Sequence, residues 1–480
     1  MKHEPGNHEP GNHEPEHRGE ERSKEEYEMR HLSPVRGFAP GRRVLALAAA
    51  VALLAVACGG TTSSPTASTT GPSVGPGSAA PSDGGYTGPE ATISYSIWGD
   101  PAEIKNQQAI VDAFHVANPK ITVKVTVSDW DTYWDKLQTG IAGGDAPDVF
   151  AMDGPLFPDY QSRDVLLDLK PYIDKSGYDL TLLADQAVAD FTTAGGQYGL
   201  PRDLNVVALY YNKTMFDAAS IPYPDDTWDW AKLVEVGKKL TIRDASGAVS
   251  QWGFYTETTD MENYWSELVW QNGGEIISAD HKTTLLGSDA AVGGLQFLQD
   301  LIWKDKIMPD AAVTDVLGDA FEQGQAAMEA NGSWLVATHQ AAGIDFGVAP
   351  LPKGPAGRAT SVNPTGAVVF KGSKSPDAAW EFVKYLASPA AQTQLMELRA
   401  SLPANKEVLN GPFASSFDGA KVMADSLAYG RVKPSFKGFN DWTTALQTKI
   451  DADVYSQPNM TARQAIDEVI AELDAILASQ

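Results

Sequence analysis

Between Ile93 and Asp153 the chain alternates strand, helix, strand, helix, strand, and this alternation restricts the fold more than any other stretch. Ile93, Tyr95 and Ile97 alternate with Ser94 and Ser96, a period-two pattern with one apolar face. A helical segment carrying Ile104, Val111 and Phe114 on one face follows and closes at Asn118-Pro119. Ile121, Val123, Val125 and Val127 then alternate with Thr122, Lys124 and Thr126, so the second strand has one wet face. A further helix leads through Gly143-Gly-Asp-Ala-Pro147 to the third strand, Asp148-Val-Phe-Ala-Met-Asp153. Strands separated by helices in this way pair in parallel through right-handed crossovers.

With 480 residues the chain is too long for one core, since single cores seldom grow past about 250–300 residues. The stretch Gly199 to Lys213 fits a link between two lobes. It opens with turn residues and runs into Val206, Val207, Leu209 and Tyr210, a short buried strand. Beyond Pro222 and Pro224 a helix-rich block begins at Thr227-Trp-Asp-Trp, with Leu233, Val236 and Leu240 at helical spacing. Tyr264 to Trp270 and Phe321 to Ala330 are predicted helices; Ile344–Pro350 and Thr365–Phe370 are predicted strands. Ser375-Pro376 and Ser388-Pro389 read as helix starts, and Thr461 with Gln464 as the capping box of a last helix.

The front of the chain is different in kind. Residues 3–17 repeat His-Glu-Pro-Gly-Asn, a polar tract that cannot build a core. Residues 1–28 are read as an extension, and Met29 as the better start of a basic segment with Arg30, Arg36, Arg42 and Arg43. Val44 to Ala57 is apolar but too short for an ordinary membrane span, as in a signal peptide. It ends Leu54-Ala-Val-Ala-Cys58-Gly-Gly, small residues before the only cysteine. That junction resembles a bacterial lipobox, with Ala55 in place of the usual leucine. It implies that Cys58 is lipidated and anchors the chain to a membrane, through more than one acyl chain. Cleavage by an ordinary signal peptidase after Ala55-Val-Ala57 is the competing reading. Residues 58–90 are rich in Ser, Thr, Gly and Pro and are expected to be a tether. The Gly71-Pro-Ser73-Val-Gly75 match within it lacks the strand and helix a nucleophile elbow needs.

Charge and rare residues exclude several classes. Lys and Arg number 37 against 62 Asp and Glu, net −25, which argues against a nucleic-acid partner. With one cysteine there is no disulfide framework. His115, His281 and His339 are far apart and read as packed or solvated, so neither metal nor cofactor is expected.

Taken in order, the leader and lipobox, strand-end Trp98, Gly-Asp-Ala-Pro-Asp148-Val, Leu-Tyr-Tyr-Asn212-Lys213, Thr-Trp228, Gln-Asn-Gly-Gly274, Asn-Gly-Ser-Trp334 and Val-Ala-Pro-Leu-Pro352 resemble family 1 extracellular solute-binding proteins. These are sugar-binding receptors of bacterial ABC importers, maltose-binding protein among them. The resemblance implies an α/β, two-lobed periplasmic-binding-protein-like fold of the class with two crossing strands, the C-terminal helices on the second lobe. It implies crossing at about Asp203–Tyr210, return near Phe346–Pro350 and a third passage near Ser388. The lobes are then 91–202 with 349–388, and 203–348 with 389–480, after the leader (1–57) and tether. It further implies no enzymatic activity, a monomer on the outer face of the membrane, a sugar or oligosaccharide ligand, and an ABC permease as partner.

A sugar offers C–H faces to aromatic rings and hydroxyl edges to charged or amide groups. Trp98 and Asp100, Asp129 and Trp130, and Asp153 each follow a strand end, where open α/β sheets bind ligands. The alternative is that the aspartates cap helices and Trp98 covers the sheet. Arg202, Asp203 and Asn205 mark the bridge, unless the first two only pair with each other. Gly366 permits close backbone approach, and Arg399 can reach a hydroxyl or a carboxylate. The resemblance adds Tyr264, Trp265, Trp334 and Trp442 as stacking positions. Trp134, Trp230, Trp252, Trp303 and Trp380 are expected in the core. The rival functions are a secreted carbohydrate-active hydrolase using a pair among Asp100, Asp129 and Asp153, and an adhesin without small ligand.

Overall fold

The computed structural model describes residues 86–99, 101–193, 195–258, 264–398 and 402–479, with side chains left out at 101, 102 and 315. Cys58, Asp100 and Arg399 lie outside the described residues, as do the leader and the tether to residue 85.

The opening alternation folds as expected. β1 (Ala91–Trp98) pairs in parallel with both β2 (Ile121–Ser128) and β3 (Val149–Asp153). β2 is an outer strand, which is why Thr122, Lys124 and Thr126 face solvent. Helices Pro101–Ala117 and Trp130–Gly143 make the crossovers. The first buries Ile110, Val111 and Phe114, while Ile104 is exposed. Asp148 ties the strand ends together: its carboxylate accepts the Ser94 N–H at 2.9 Å and the Ser373 hydroxyl at 2.6 Å.

The bridge is a long strand, β4 (Gly199–Asn212), of 14 residues. Leu204, Val206, Ala208 and Tyr210 enter one core, and Val207, Leu209 and Tyr211 enter another. Both faces are covered, so the sequence shows an apolar run and no alternation. Four further strands lean on β4: β5 (Met328–Gly332), β6 (Phe346–Ala349), β7 (Thr360–Val369) and β8 (Leu402–Pro403). With β9 (Gly430–Val432) on β7 they complete a nine-stranded sheet of order β6-β4-β7-β3-β1-β2.

Two strands therefore cross between lobes, β4 and β7. β7 pairs with β9 at Thr360–Val362 and with β3 at Thr365–Val369. The return passage lies there, not near Phe346–Pro350, because β6 is short and meets only Leu209–Asn212 at the far end of β4. The third passage follows helix Pro389–Glu397, whose Leu395 still packs in the first lobe. The segment expected as helix around Phe321–Ala330 instead ends in β5. Its Met, Glu and Ala favour helix weakly, and pairing with Val207–Tyr211 overrides that preference.

In the first lobe the sheet is sandwiched. Tyr95, Phe114, Trp380 and Phe382 pack on one face, Tyr133, Phe150, Phe157 and Phe191 on the other. The second lobe is dominated by helices around Trp265, Trp270, Leu295, Trp442 and Ile466. Its last helix, Ala462–Ala478, starts at the expected Thr461–Gln464 capping box and buries Leu473 and Leu477.

Candidate functional site

A cleft of about 1290 Å³ is lined by residues of both lobes and of the crossing strands. Its floor follows from strand register. Thr365 on β7 stands opposite Asp153 on β3 and opposite Asp203 on β4. Directly opposed residues share a face, so the three side chains form one row. Two strand spacings put the backbones of the two aspartates roughly 10 Å apart. The next row is Asn363 opposite Asn205.

The β4–β7 register slips between Thr365 and Gly366, leaving Arg202 as the extra residue on β4. Such a bulge re-aims a side chain. Here it sets Arg202 beside Asp203, Nη1 to Oδ2 at 3.2 Å, with Glu103 Oε1 at 3.8 Å from Nη2. Burial lowers the guanidinium's pKa, but Asp203, Tyr95 and Glu103 more than offset it and leave it raised. Truncating one partner of a buried pair of this kind typically costs about 3–5 kcal/mol. Asn205 Oδ1 accepts the Ser333 hydroxyl at 3.1 Å, which links floor to second lobe. Asn363 Oδ1 is buried and has no hydrogen-bond partner.

The first lobe supplies an aromatic wall. Trp98, at the end of β1, meets Trp130 edge-on at 4.9 Å, and Trp130 meets Trp134 at 5.4 Å. Trp134 reaches Tyr160 at 5.7 Å, and the Arg163 guanidinium lies over the Tyr160 ring. Trp130 remains 38% exposed. Trp134, expected in the core, is nearly buried and also lines the cleft.

The second lobe answers with one indole, Trp334, just past β5. A Cβ on Gly332 would run into its ring, so this glycine lets the indole lie against the backbone. Leu335, Ala337 and Phe439 continue that wall, and a helix adds polar groups to it. Asn440, Thr444 and Gln447 recur at i, i+4 and i+7 along helix Phe439–Ile450, joined by Asp441. The walls touch beside the cleft, where Asp159 accepts the Gly438 N–H at 2.8 Å and Ser435 donates to the Gly154 carbonyl at 3.0 Å. Burial pushes the Asp159 carboxyl up, with Gly438 pulling the other way.

Of the residues singled out from sequence, Trp98, Trp130, Asp153, Arg202, Asp203, Asn205 and Trp334 line this cleft. Others sit elsewhere. Asp129 caps its helix, its carboxylate accepting the Thr132 N–H at 3.0 Å, and Asp131 faces the cleft instead. Tyr264 and Trp265 are buried in the second lobe, on a helix that is buried all round. Trp442 is 0% exposed and its indole N–H donates to Thr284 Oγ1 at 3.2 Å. On the same helix, Asn440, Asp441 and Thr444 line the cleft. The space that Gly366 leaves is taken by the Phe191 ring. His339 is packed in a core beside Glu329, 3.0 Å away. No group of three or more possible metal ligands occurs among the described residues.

Comparison with known proteins gives the family. The chain is 24% identical over 392 residues to a galactooligosaccharide-binding protein of Bacillus subtilis, covering 79% of this chain and 89% of the relative. It is 26% identical over 291 residues to a maltodextrin-binding protein of the same species, covering 59% and 67%. Among solved structures, an ABC substrate-binding protein of Listeria monocytogenes in complex with cycloalternan superposes with a TM-score of 0.74 at 29% identity, over 81% of this chain and 99% of that one. A model of the bacterial extracellular solute-binding proteins matches residues 109–421, and the chain belongs to that family.

Proposed function

We propose that the chain is a receptor that binds a mono- or oligosaccharide in this cleft, closes over it by bending β4 and β7, and delivers it intact to an ABC importer. The observation that carries the reading is the cleft itself. The indoles Trp98 and Trp130 stand on one wall and Trp334 on the other, above a floor of Asp153, Asp203, Asn205 and Asn363. Rings stack on sugar faces, and carboxylates and amides take hydroxyl edges. The names of the relatives support a saccharide ligand. Closure requires that the ligand favour the closed form, since equal affinity for both shifts nothing.

In this reading the protein is a monomer without cofactor or catalytic activity. It is held outside the cytoplasmic membrane by lipidated Cys58 and meets permease subunits there. Replacing Cys58 by Ala should release the protein from the membrane fraction; retention would remove the anchor. For the ligand, thermal unfolding is followed with a panel of mono-, di- and trisaccharides. A ligand at 100 times its Kd stabilises by about 2.7 kcal/mol. No shift with any saccharide would sink the receptor reading. Sugar fragments released in turnover amounts would make the protein a hydrolase.

A further inference from the structure

The cleft is charged far beyond what hydroxyl recognition requires. Its lining holds eight carboxylates against two guanidiniums, with no lysine and no histidine. Asp131 and Asp135 stand on the first wall, Glu257 and Asp441 on the second, and Asp153 and Asp203 on the floor. Both guanidiniums are already engaged. Arg202 lies between Asp203 and Glu103, and Arg163 stacks on Tyr160. A partly water-excluded cleft of one sign concentrates ligands of the opposite sign.

A second, independent feature points to a donor-bearing ligand in the same cleft. Asn363, 5% exposed, lines the floor with its Oδ1 buried and without a partner. That atom only accepts, so what completes it must donate. Trp130 adds an exposed indole face, the best side-chain surface for a cation. Among the described residues no three or more His, Cys, Asp or Glu are grouped to hold a metal ion, and calcium takes six to eight oxygens, which favours an organic cation.

We infer that the saccharide this cleft selects carries a protonated amine. The inference rests on the receptor reading and narrows its substrate class to amino sugars. The ammonium would meet the carboxylates, the rings the indoles, and an N–H or O–H the Asn363 carbonyl.

The test compares saccharides that differ only in an amino against a hydroxyl group. Glucosamine is set against glucose, and the β-1,4-linked glucosamine trimer against the glucose trimer of the same linkage, by titration calorimetry on the full chain. The malto-oligosaccharide series is included. The amino member of a pair is expected to bind about tenfold tighter or more at low salt, with the gap closing as salt shortens the Debye length. In Asp131→Asn and Asp441→Asn the preference for the amino member should fall. Equal or tighter binding of neutral sugars overturns the inference and leaves the receptor reading standing. Binding of no saccharide, with or without uptake of a polyamine such as spermidine, overturns both.

Discussion

The two walls of the cleft hold their aromatic side chains by different means. On the first, Trp98, Trp130, Trp134 and Tyr160 lean on one another, each ring supported by the next at about 5–6 Å. On the second, Trp334 is the one indole lining the cleft, kept flat because Gly332 has no side chain. A cluster of rings tolerates loss of one member, because its neighbours still present apolar surface. A single ring on a glycine does not.

That contrast orders the expected effects of mutation. Trp334→Ala should cost the most, roughly hundredfold in saccharide affinity, as for a central aromatic anchor worth about 2–3 kcal/mol. The free protein should still unfold cooperatively near its original midpoint, because the ring is only partly buried. Calorimetry showing unchanged affinity would take Trp334 out of the site. Trp130→Ala should cost less, about tenfold, because Trp98 and Trp134 keep part of the surface. If Trp130→Ala proved as damaging as Trp334→Ala, the first wall would not be redundant and the comparison would fail.

Gly332→Ala sharpens the point without removing any ring. Its backbone is ordinary extended chain, φ −72° and ψ 154°, so an alanine is unstrained there. The three atoms nearest the new methyl all belong to the Trp334 indole. Affinity should fall by several-fold, less than in Trp334→Ala, accompanied by a change in tryptophan fluorescence. Wild-type affinity and emission together would show that the indole does not depend on this glycine.

The walls also differ in how far they could be read from the sequence, for a physical reason. A strand places residues with period two, and its end falls at a predictable edge of the sheet. Trp98, Trp130 and Asp153 were therefore legible, as were Arg202, Asp203 and Asn205 on the bridge. The helix Phe439–Ile450 offers several sides, and only packing decides which is wet. Trp442 took the inner side and Asn440, Asp441 and Thr444 the outer. Trp265–Gln271 has no wet side at all, so its aromatic run carried no information about the cleft. Asp129 and Asp131 share a turn; the capping rule, applied to Thr132 three residues on, separates them. Trp134 and Tyr160 escaped because a ring at the rim of a core belongs to both core and cleft. For β5, pairing across more than a hundred residues outweighed a helix-prone composition.

The smallest effect is expected where the walls meet. Asp159 accepts the Gly438 N–H at 2.8 Å, and burial where the walls meet raises the carboxyl above its ordinary 3.8 against the pull of that hydrogen bond. A carboxyl raised in the folded state adds stability that is fully present below the unfolded pKa and lost as pH rises through the folded one. Asp159→Asn keeps an acceptor for Gly438 but has no proton to lose. The variant should lack that decline, so its unfolding midpoint should gain on wild type as pH rises from about 4 toward neutrality. Asp159→Ala removes the acceptor as well and should cost about 0.5–1.5 kcal/mol, the net value of one hydrogen bond. Midpoints measured across that range for the three proteins separate charge from hydrogen bond. Parallel profiles for wild type and Asp159→Asn would mean that the second wall does not cover this carboxyl in solution, and that the two walls are joined by Ser435 and the Gly154 carbonyl instead.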